Sequence, residues 1–323
     1  MRELIVKELE ANQRLDKYLH KYLKEATNSF LYKMMRKKNI VLNGKKATGN
    51  EILQCGDSVR LFLADETIDK FRGNWVMQGE ISLYEKAYLQ YRDIKVIAEY
   101  EDVLFIEKPS GILSQRFDNH LYSANEWLIG YLLKTRALCA EDLKTFKPSV
   151  CNRLDRNTSG LLICSKTLLG SQVMGQLLKD RTLHKYYLCM VKGHCDLDGM
   201  KEAYIYKDEK NNKVTVFESC DLAPLSYADK LKPIKTGIKV LAYQEEYTLL
   251  EIELFTGKSH QIRAHMEHLG YPLAGDVKYG GNENVKHTDG QMLHAYKLVF
   301  PKMTGPLSYL SEKEIICEKR FVL

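Results

Sequence analysis

Residues 151–165 read C-N-R-L-D-R-N-T-S-G-L-L-I-C-S, with one carboxylate, Asp155, between Arg153 and Arg156, ahead of a small polar turn and an apolar run. An Asp beside an Arg is most often a surface salt bridge worth little. The sharper reading is a catalytic acid on a loop that the following strand holds rigid. Two further clusters could do chemistry. One is K-Y-Y at 185–187; the other runs from Phe255 to Gly281 and holds Thr256, Lys258, His260, Gln261, Arg263, His265, His268 and Asp276. Its histidines invite a metal, since His265 and His268 are three apart and can share a helix face. The spacing is not H-E-x-x-H, however, and His260 stands five residues before His265. No acid occupies a recognised ligand position either, which speaks against zinc and a metal-dependent hydrolase. Gly257, Gly270 and Gly275 form neither a P-loop nor a dinucleotide fingerprint, and the G-x-S-x-G of a nucleophile elbow is absent.

The elements that must position these residues are legible as patterns. V-L-F-I-E-K-P-S-G is a strand running into a turn at Lys108–Gly111, and L-L-I-C-S is a short apolar strand. Leu169, Val173 and Leu177 then make a four-spaced helical stripe. K-Y-Y-L-C-M-V-K-G, the A-Y-I-Y and K-V-T-V-F pair around a K-D-E-K-N-N turn, and Y-T-L-L-E-I-E-L-F with period two all read as strands. Strands outnumber helices and connect by hairpins, which predicts an α+β body with a mixed, largely antiparallel sheet.

Ahead of it, Leu15, Tyr18, Leu19, Tyr22 and Leu23 predict one helix, and Phe30, Leu31, Met34 and Met35 a second. Asn43–Gly44 and Cys55–Gly56–Asp57 mark tight turns between short strands. Lys33, Arg36, Lys37 and Lys38 fall on the far side of the second helix, followed by the basic turn with Lys45 and Lys46. Residues 14–63 hold eleven Lys/Arg and four acids, a charge of +7, whereas the whole chain is +6, so the remainder is about neutral. A basic module on a neutral body predicts contact with a polyanion.

At 323 residues the chain is long for one core, so two domains are expected. The division predicted is 1–63, a partly ordered linker at 64–96, and a body at 97–323. The start, M-R-E-L-I-V-K-E-L-E, is not a signal peptide, and no apolar run approaches the ~18 residues of a membrane span. Eight cysteines without a C-x-x-C pair read as reduced thiols, hence a cytoplasmic location.

Two resemblances sharpen this. The order of elements across 14–63, with L-x-K-M-M-R-K-K-N-I-V-L-N-G-K and the closing C-G-D-S-V-R, resembles the S4 RNA-binding domain. In the body, N-R-L-D-R-N-T-S-G-L resembles the active-site signature of the RluA-type pseudouridine synthases. E-K-P-S-G before it, and Lys185-x-Tyr187, T-G-K-S-H-Q-I-R-A-H, G-D-V-K-Y-G-G and L-H-A-Y-K-L-V-F-P-K-M after it, follow in the family's order over roughly 97–303. The tripeptide alone means nothing, because R-L-D also occurs at Arg14–Asp16 with none of this behind it.

The resemblance implies the pseudouridine synthase fold and an enzyme that isomerises uridine in RNA without cofactor or metal. It assigns Asp155 as the attacking or proton-accepting carboxylate and Arg263 as the guanidinium that orients it by a charge-assisted pair. It places Tyr187 against the flipped uracil. Arg156, Lys185 and Lys258 are then phosphate contacts near the pocket, joined by Lys33, Arg36, Lys37, Lys38, Lys45 and Lys46 on the S4-like module. The S4-like module and the R-N-T-S-G variant most resemble the RluC-type enzymes of the large subunit, making 23S rRNA the expected partner of a monomeric protein. The alternatives are a tRNA-directed synthase and a non-catalytic RNA-binding or ribosome-assembly factor on the same scaffold. Asn152 and Lys258–Ser259 depart from the His and Arg-Thr of many members; Lys258 lacks the bidentate fork of an arginine.

Overall fold

The computed structural model describes residues 1–72, 77–117, 121–280, 290–319 and 321. Gly281, the last residue of the Y-G-G motif, and residues 73–76 of the expected linker lie outside the described residues. The N-terminal part contains β1 (Arg2–Ile5), α1 (Leu15–Tyr22), α2 (Asn28–Arg36), β2 (Ile40–Leu42), β3 (Lys45–Lys46) and β4 (Ser58–Leu61). Its strands form one sheet in the order β1-β4-β2-β3. Leu15, Leu19, Leu31 and Met35, four of the residues on the expected helical stripes, bury against Ile40, Leu53, Val59 and Leu61. Thr27 caps α2 by accepting the Phe30 N–H at 3.3 Å. Asn43 and Gly44 both take positive φ (50° and 73°), the backbone that lets a two-residue turn join β2 to β3.

The basic string is not all helical. α2 ends at Arg36; Lys37 is its C-cap and Lys38 is left-handed with φ 60°, because the chain must turn there to enter β2. Lys33, Arg36, Lys37, Lys38, Lys45 and Lys46 are all exposed.

Residues 64–96 carry α3 (Asp65–Arg72) and α4 (Met77–Gln90). α4 packs on α5 (Ala124–Lys134), and its Tyr84 is buried in the core of the body. The body contributes β5 (Lys95–Glu99), β6 (Val103–Lys108), β7 (Ser149–Val150), β8 (Ser159–Ser165), α6 (Leu168–Asp180), β9 (His184–Lys192) and β10 (Gly199–Asp208). β11 (Lys213–Phe217), β12 (Lys232–Gln244), β13 (Tyr247–Leu254), α7 (Gln261–His268), β14 (Leu293–Val299) and β15 (Glu314–Ile316) complete it. One 11-stranded sheet runs β11-β10-β12-β13-β9-β14-β8-β6-β5, with β15 on β14 and β7 on β8. Only β8–β14 among its pairs is parallel, so the sheet is mixed and largely antiparallel as the hairpin pattern predicts.

β8 is buried at every residue, as an apolar strand in mid-sheet must be. β13 instead alternates half-buried and buried positions along its whole length, matching its period-two sequence. Gly160, within the N-T-S-G-L run, has φ 114°, and a Cβ there would stand 2.2 Å from the Ala295 carbonyl oxygen of β14. Only glycine permits this approach of the two parallel strands.

The loop that leads into β8 is clamped from the E-K-P-S-G-I-L-S segment. Lys108 is fully buried, and its ammonium donates to the carbonyls of Pro109 (2.8 Å), Ile112 (2.9 Å) and Arg156 (3.0 Å). Ser114 Oγ donates to the Leu154 carbonyl and accepts its N–H, both at 2.9 Å. Gly111 N–H donates to the Arg156 carbonyl and Ser110 Oγ to that of Asn157. Burial pushes the Lys108 ammonium down to about 7, and the nearby Asp155 charge opposes that shift.

Gly160→Ala should lose about 2–4 kcal/mol in a urea titration, from left-handed strain plus a backbone clash. Folded Lys108 gives up its proton near 7 and unfolded Lys108 near its ordinary 10.5. Between those values the unfolded chain binds more protons, so stability rises with pH. The margin of wild type over Lys108→Met should therefore widen as the pH is raised from 7 to 10; a margin flat with pH would contradict it.

Candidate active site

The loop of residues 152–158 ends where β8 begins, and its Thr158 N–H donates to the Asp155 carbonyl at 3.1 Å. This turn and the clamp from 108–114 set Asp155 at the floor of a cleft of about 960 Å³. The cleft wall across from it comes from α7. Gln261, buried at its first turn, accepts from Thr256 Oγ1 (2.9 Å) and Lys258 N–H (3.1 Å) and donates to Thr236 Oγ1 (3.1 Å). That brace holds the T-G-K-S turn against β12 and fixes the helix start, two residues before Arg263.

Arg263 joins two acids. Its Nε and Nη2 clasp the fully buried Asp276 at 2.6 and 2.8 Å, and its remaining Nη1 donates to Asp155 Oδ2 at 2.9 Å. Burial disfavours the guanidinium charge, but hydrogen bonds from Asp276 and Asp155 outweigh it and hold its pKa above the ordinary value. His260 adds Nε2 at 4.0 Å from the same Oδ2, its ring fixed by a 2.8 Å hydrogen bond between Nδ1 and the Tyr279 hydroxyl. The partners of the Asp155 carboxylate among the described residues thus approach Oδ2, and the side chain stays 27% exposed.

Tyr187 reaches the cleft from β9, where its backbone lies between Ile252 of β13 and Ala295 of β14. Burial pushes its hydroxyl pKa up and the Asp155 charge adds to that, so the phenol stays protonated. Lys185, two residues earlier on the same strand face, is buried as well and lines the cleft. Among the described residues the lining holds ten Lys/Arg and one acid, Asp155.

The structure brings together Asp155, Tyr187, Arg263, Arg156, Lys185 and Lys258 around this one cleft. Lys33, Arg36, Lys37, Lys38, Lys45 and Lys46 lie outside its lining. Arg156 has its Nε committed to the Gly111 carbonyl at 3.0 Å. Two of the three histidines have different partners, His260 the Tyr279 hydroxyl and His265 Thr236 Oγ1 at 3.0 Å, and the three form no metal-type cluster among the described residues. Glu107, His294 and Cys317 do bring ligand atoms within 4.8 Å of one another. His294 commits both ring nitrogens to Ser159 Oγ and the Cys317 carbonyl, so the group is a hydrogen-bonded strand contact. Sequence reasoning missed the tasks of Asp276, Lys108 and Tyr279. Their motifs were visible, but nothing local tells that an Asp thirteen residues past Arg263 clasps it.

These features agree with comparisons to known proteins. Residues 102–268 match the family model described as RNA pseudouridylate synthase. A Mycoplasma genitalium protein named as an uncharacterized RNA pseudouridine synthase is 32% identical over 93% of this chain and 89% of its own length. The ribosomal large subunit pseudouridine synthase D of Borreliella burgdorferi is 30% identical over 100% of this chain and 91% of its own. The fold is shared with human RNA pseudouridylate synthase domain containing 4, at TM-score 0.57 and 18% identity over 73% of this chain and 93% of that one. The chain therefore belongs to the RNA pseudouridylate synthase family, whose members isomerise uridine in RNA to pseudouridine.

Proposed function

We propose that the protein modifies large-subunit rRNA, 23S rRNA being the substrate, with Asp155 as nucleophile or base. The observation that carries the reading is Asp155 itself, side chain 27% exposed, with Oδ2 held by Arg263 in a basic cleft. The reaction breaks the C1′–N1 bond of uridine, forms a C1′–C5 bond to the same base, releases the C5 hydrogen as a proton and leaves N1 to take one up, so atoms and charge balance. It is redox-neutral and needs no energy source, so the proposed chemistry requires no cofactor.

Arg263 orients the carboxylate, so that one oxygen faces the reacting sugar or base without a search over rotamers. Tyr187 offers the uracil an aromatic surface in place of the stack it leaves. Arg156, Lys185 and Lys258 supply phosphate contacts at the rim. The N-terminal residues 1–63 act as an S4-type module, presenting Lys33, Arg36, Lys37, Lys38, Lys45 and Lys46 to structured RNA through shape and backbone. Residues 64–96 connect it to the catalytic domain at 97–323. The rRNA assignment draws on the relatives from Borreliella burgdorferi and Vibrio cholerae, both named as ribosomal large subunit synthases. A monomer working in the cytoplasm fits this reading, and no helix among the described residues is long and apolar enough to cross a membrane.

Tritium release from RNA labelled at uridine C5 tests the reading. Wild type should release tritium from 23S rRNA and not from tRNA, and Asp155→Asn should lose about a thousand-fold or more in rate. Release from tRNA alone would overturn the ribosomal assignment, and full activity of Asp155→Asn would remove that residue from the chemistry. Asp276→Asn should slow single-turnover release more than tenfold, about 1.4 kcal/mol or more of transition-state stabilisation, while the RNA Kd holds.

A further inference from the structure

His260 stands where its local conformation asks for another residue. It precedes α7 as the N-cap with φ 53° and ψ 18°, in the left-handed region, and its side chain makes no capping hydrogen bond. Both demands favour asparagine or glycine. Asparagine is among the best N-caps and enters the left-handed region readily, and glycine enters it without strain. A histidine there, with its side chain 10% exposed and lining the cleft, marks a position chosen for its ring.

A chain of three groups fixes that ring. The Val214 N–H of β11 donates to the Tyr279 hydroxyl oxygen at 2.9 Å, and the same oxygen lies 2.8 Å from His260 Nδ1. Tyr279 is buried, which raises the pKa of its phenol, so it keeps its proton. Val214 already uses the oxygen as an acceptor, and among the described residues the phenol proton has one place to go, His260 Nδ1. The reverse arrangement, with an Nδ1–H donating to the hydroxyl, would strand a buried O–H. Nδ1 is therefore the acceptor, and the ring carries its proton on Nε2. Burial also holds the ring below its ordinary pKa against the pull of the Asp155 charge, so it is neutral at neutral pH.

Nε2 lies 4.0 Å from Asp155 Oδ2, beyond hydrogen-bond reach, and that oxygen already receives Arg263 Nη1. The N–H thus stands beside the carboxylate without being bonded to it. We propose that His260 donates its Nε2–H to an oxygen of the uridine held against Asp155, and that Tyr279, anchored by Val214, is the positioning residue that fixes this tautomer. The proposal rests on the reading of Asp155 as the reacting carboxylate. A neutral N–H supplies a donor at the reacting centre without a second full charge to compete with Arg263. Its direction is set before the nucleotide arrives, so no reorientation is needed during the reaction.

Two measurements on the full chain test this. Nitrogen NMR of isotope-labelled histidine, with His260 assigned by its loss in His260→Asn, should show Nδ1 unprotonated and Nε2 protonated. Tyr279→Phe should shift that ring toward a mixture of tautomers. In single-turnover tritium release from C5-labelled RNA, His260→Asn should be slowed about tenfold or more with the RNA Kd unchanged. Its Tm should hold or rise, because asparagine suits the left-handed cap. His260→Gln suits that backbone less well but carries an N–H on a longer arm, and it should recover part of the rate. Rates that follow Tm instead, with Asn at wild-type speed or Gln below Asn, would make His260 a helix-start residue and overturn the proposal. A wild-type ring protonated on Nδ1 would overturn it without any RNA. Full activity of Asp155→Asn would sink the reading of that carboxylate while leaving the His260 tautomer in place, so the two failures are distinguishable.

Discussion

The arrangement around Asp155 depends on how a single guanidinium is divided between two carboxylates. An arginine left alone with Asp155 would present its fork and take both oxygens in a bidentate pair. Asp276, buried and rigid, occupies the Nε–Nη2 edge instead, so Asp155 receives only Nη1 and only on Oδ2. The second acid therefore does two things: it balances the charge of a buried arginine, and it keeps that arginine from taking both oxygens of the first. A lysine at 263 could do neither, having a point charge and no fork to share.

The rest of the fold serves to hold those three side chains at fixed separations. Asp155 rides on a loop whose carbonyls are tied to Lys108 and whose Leu154 is bracketed by Ser114, with β8 seated against β14 through Gly160. Arg263 rides on a helix whose first turn is braced by Gln261 to β12. The two arms start from opposite sides of β9, the strand that supplies Tyr187 and Lys185. Rigid strands and hydrogen-bonded polar groups thus surround the Asp155 carboxylate, which Arg263 holds by Oδ2. Holding a side chain in one orientation by a bonded scaffold is how preorganised sites are built.

Charge follows a similar logic at larger scale. The body of the chain sums to nearly zero, yet among the described residues its cleft lining has ten basic residues and one acid. A domain of near-zero net charge thus still concentrates positive charge in its cleft. The N-terminal residues add exposed lysines outside the cleft lining.

Much of this was written in local pattern. The apolar run 161–165, the alternation of 247–254, the stripes of α1, α2 and α6 and the Asn43–Gly44 turn each depend on near neighbours, and period and turn chemistry suffice to read them. The ordered motifs around Asp155, Tyr187 and Arg263 likewise carried the family and the chemistry. What sequence could not express were relations between distant residues. The Lys108 clamp spans 48 positions and the Asp155–Arg263 pair spans 108, and no periodicity encodes such contacts. The end of α2 moved from where helical spacing put it because β2 had to begin, and the cleft's charge vanished from a sum taken along the chain. Sequence by itself determined which residue types and elements were present; the tertiary structure decided which carboxylate oxygen Arg263 takes and which second acid clasps that arginine, because both depend on distances that only folding sets.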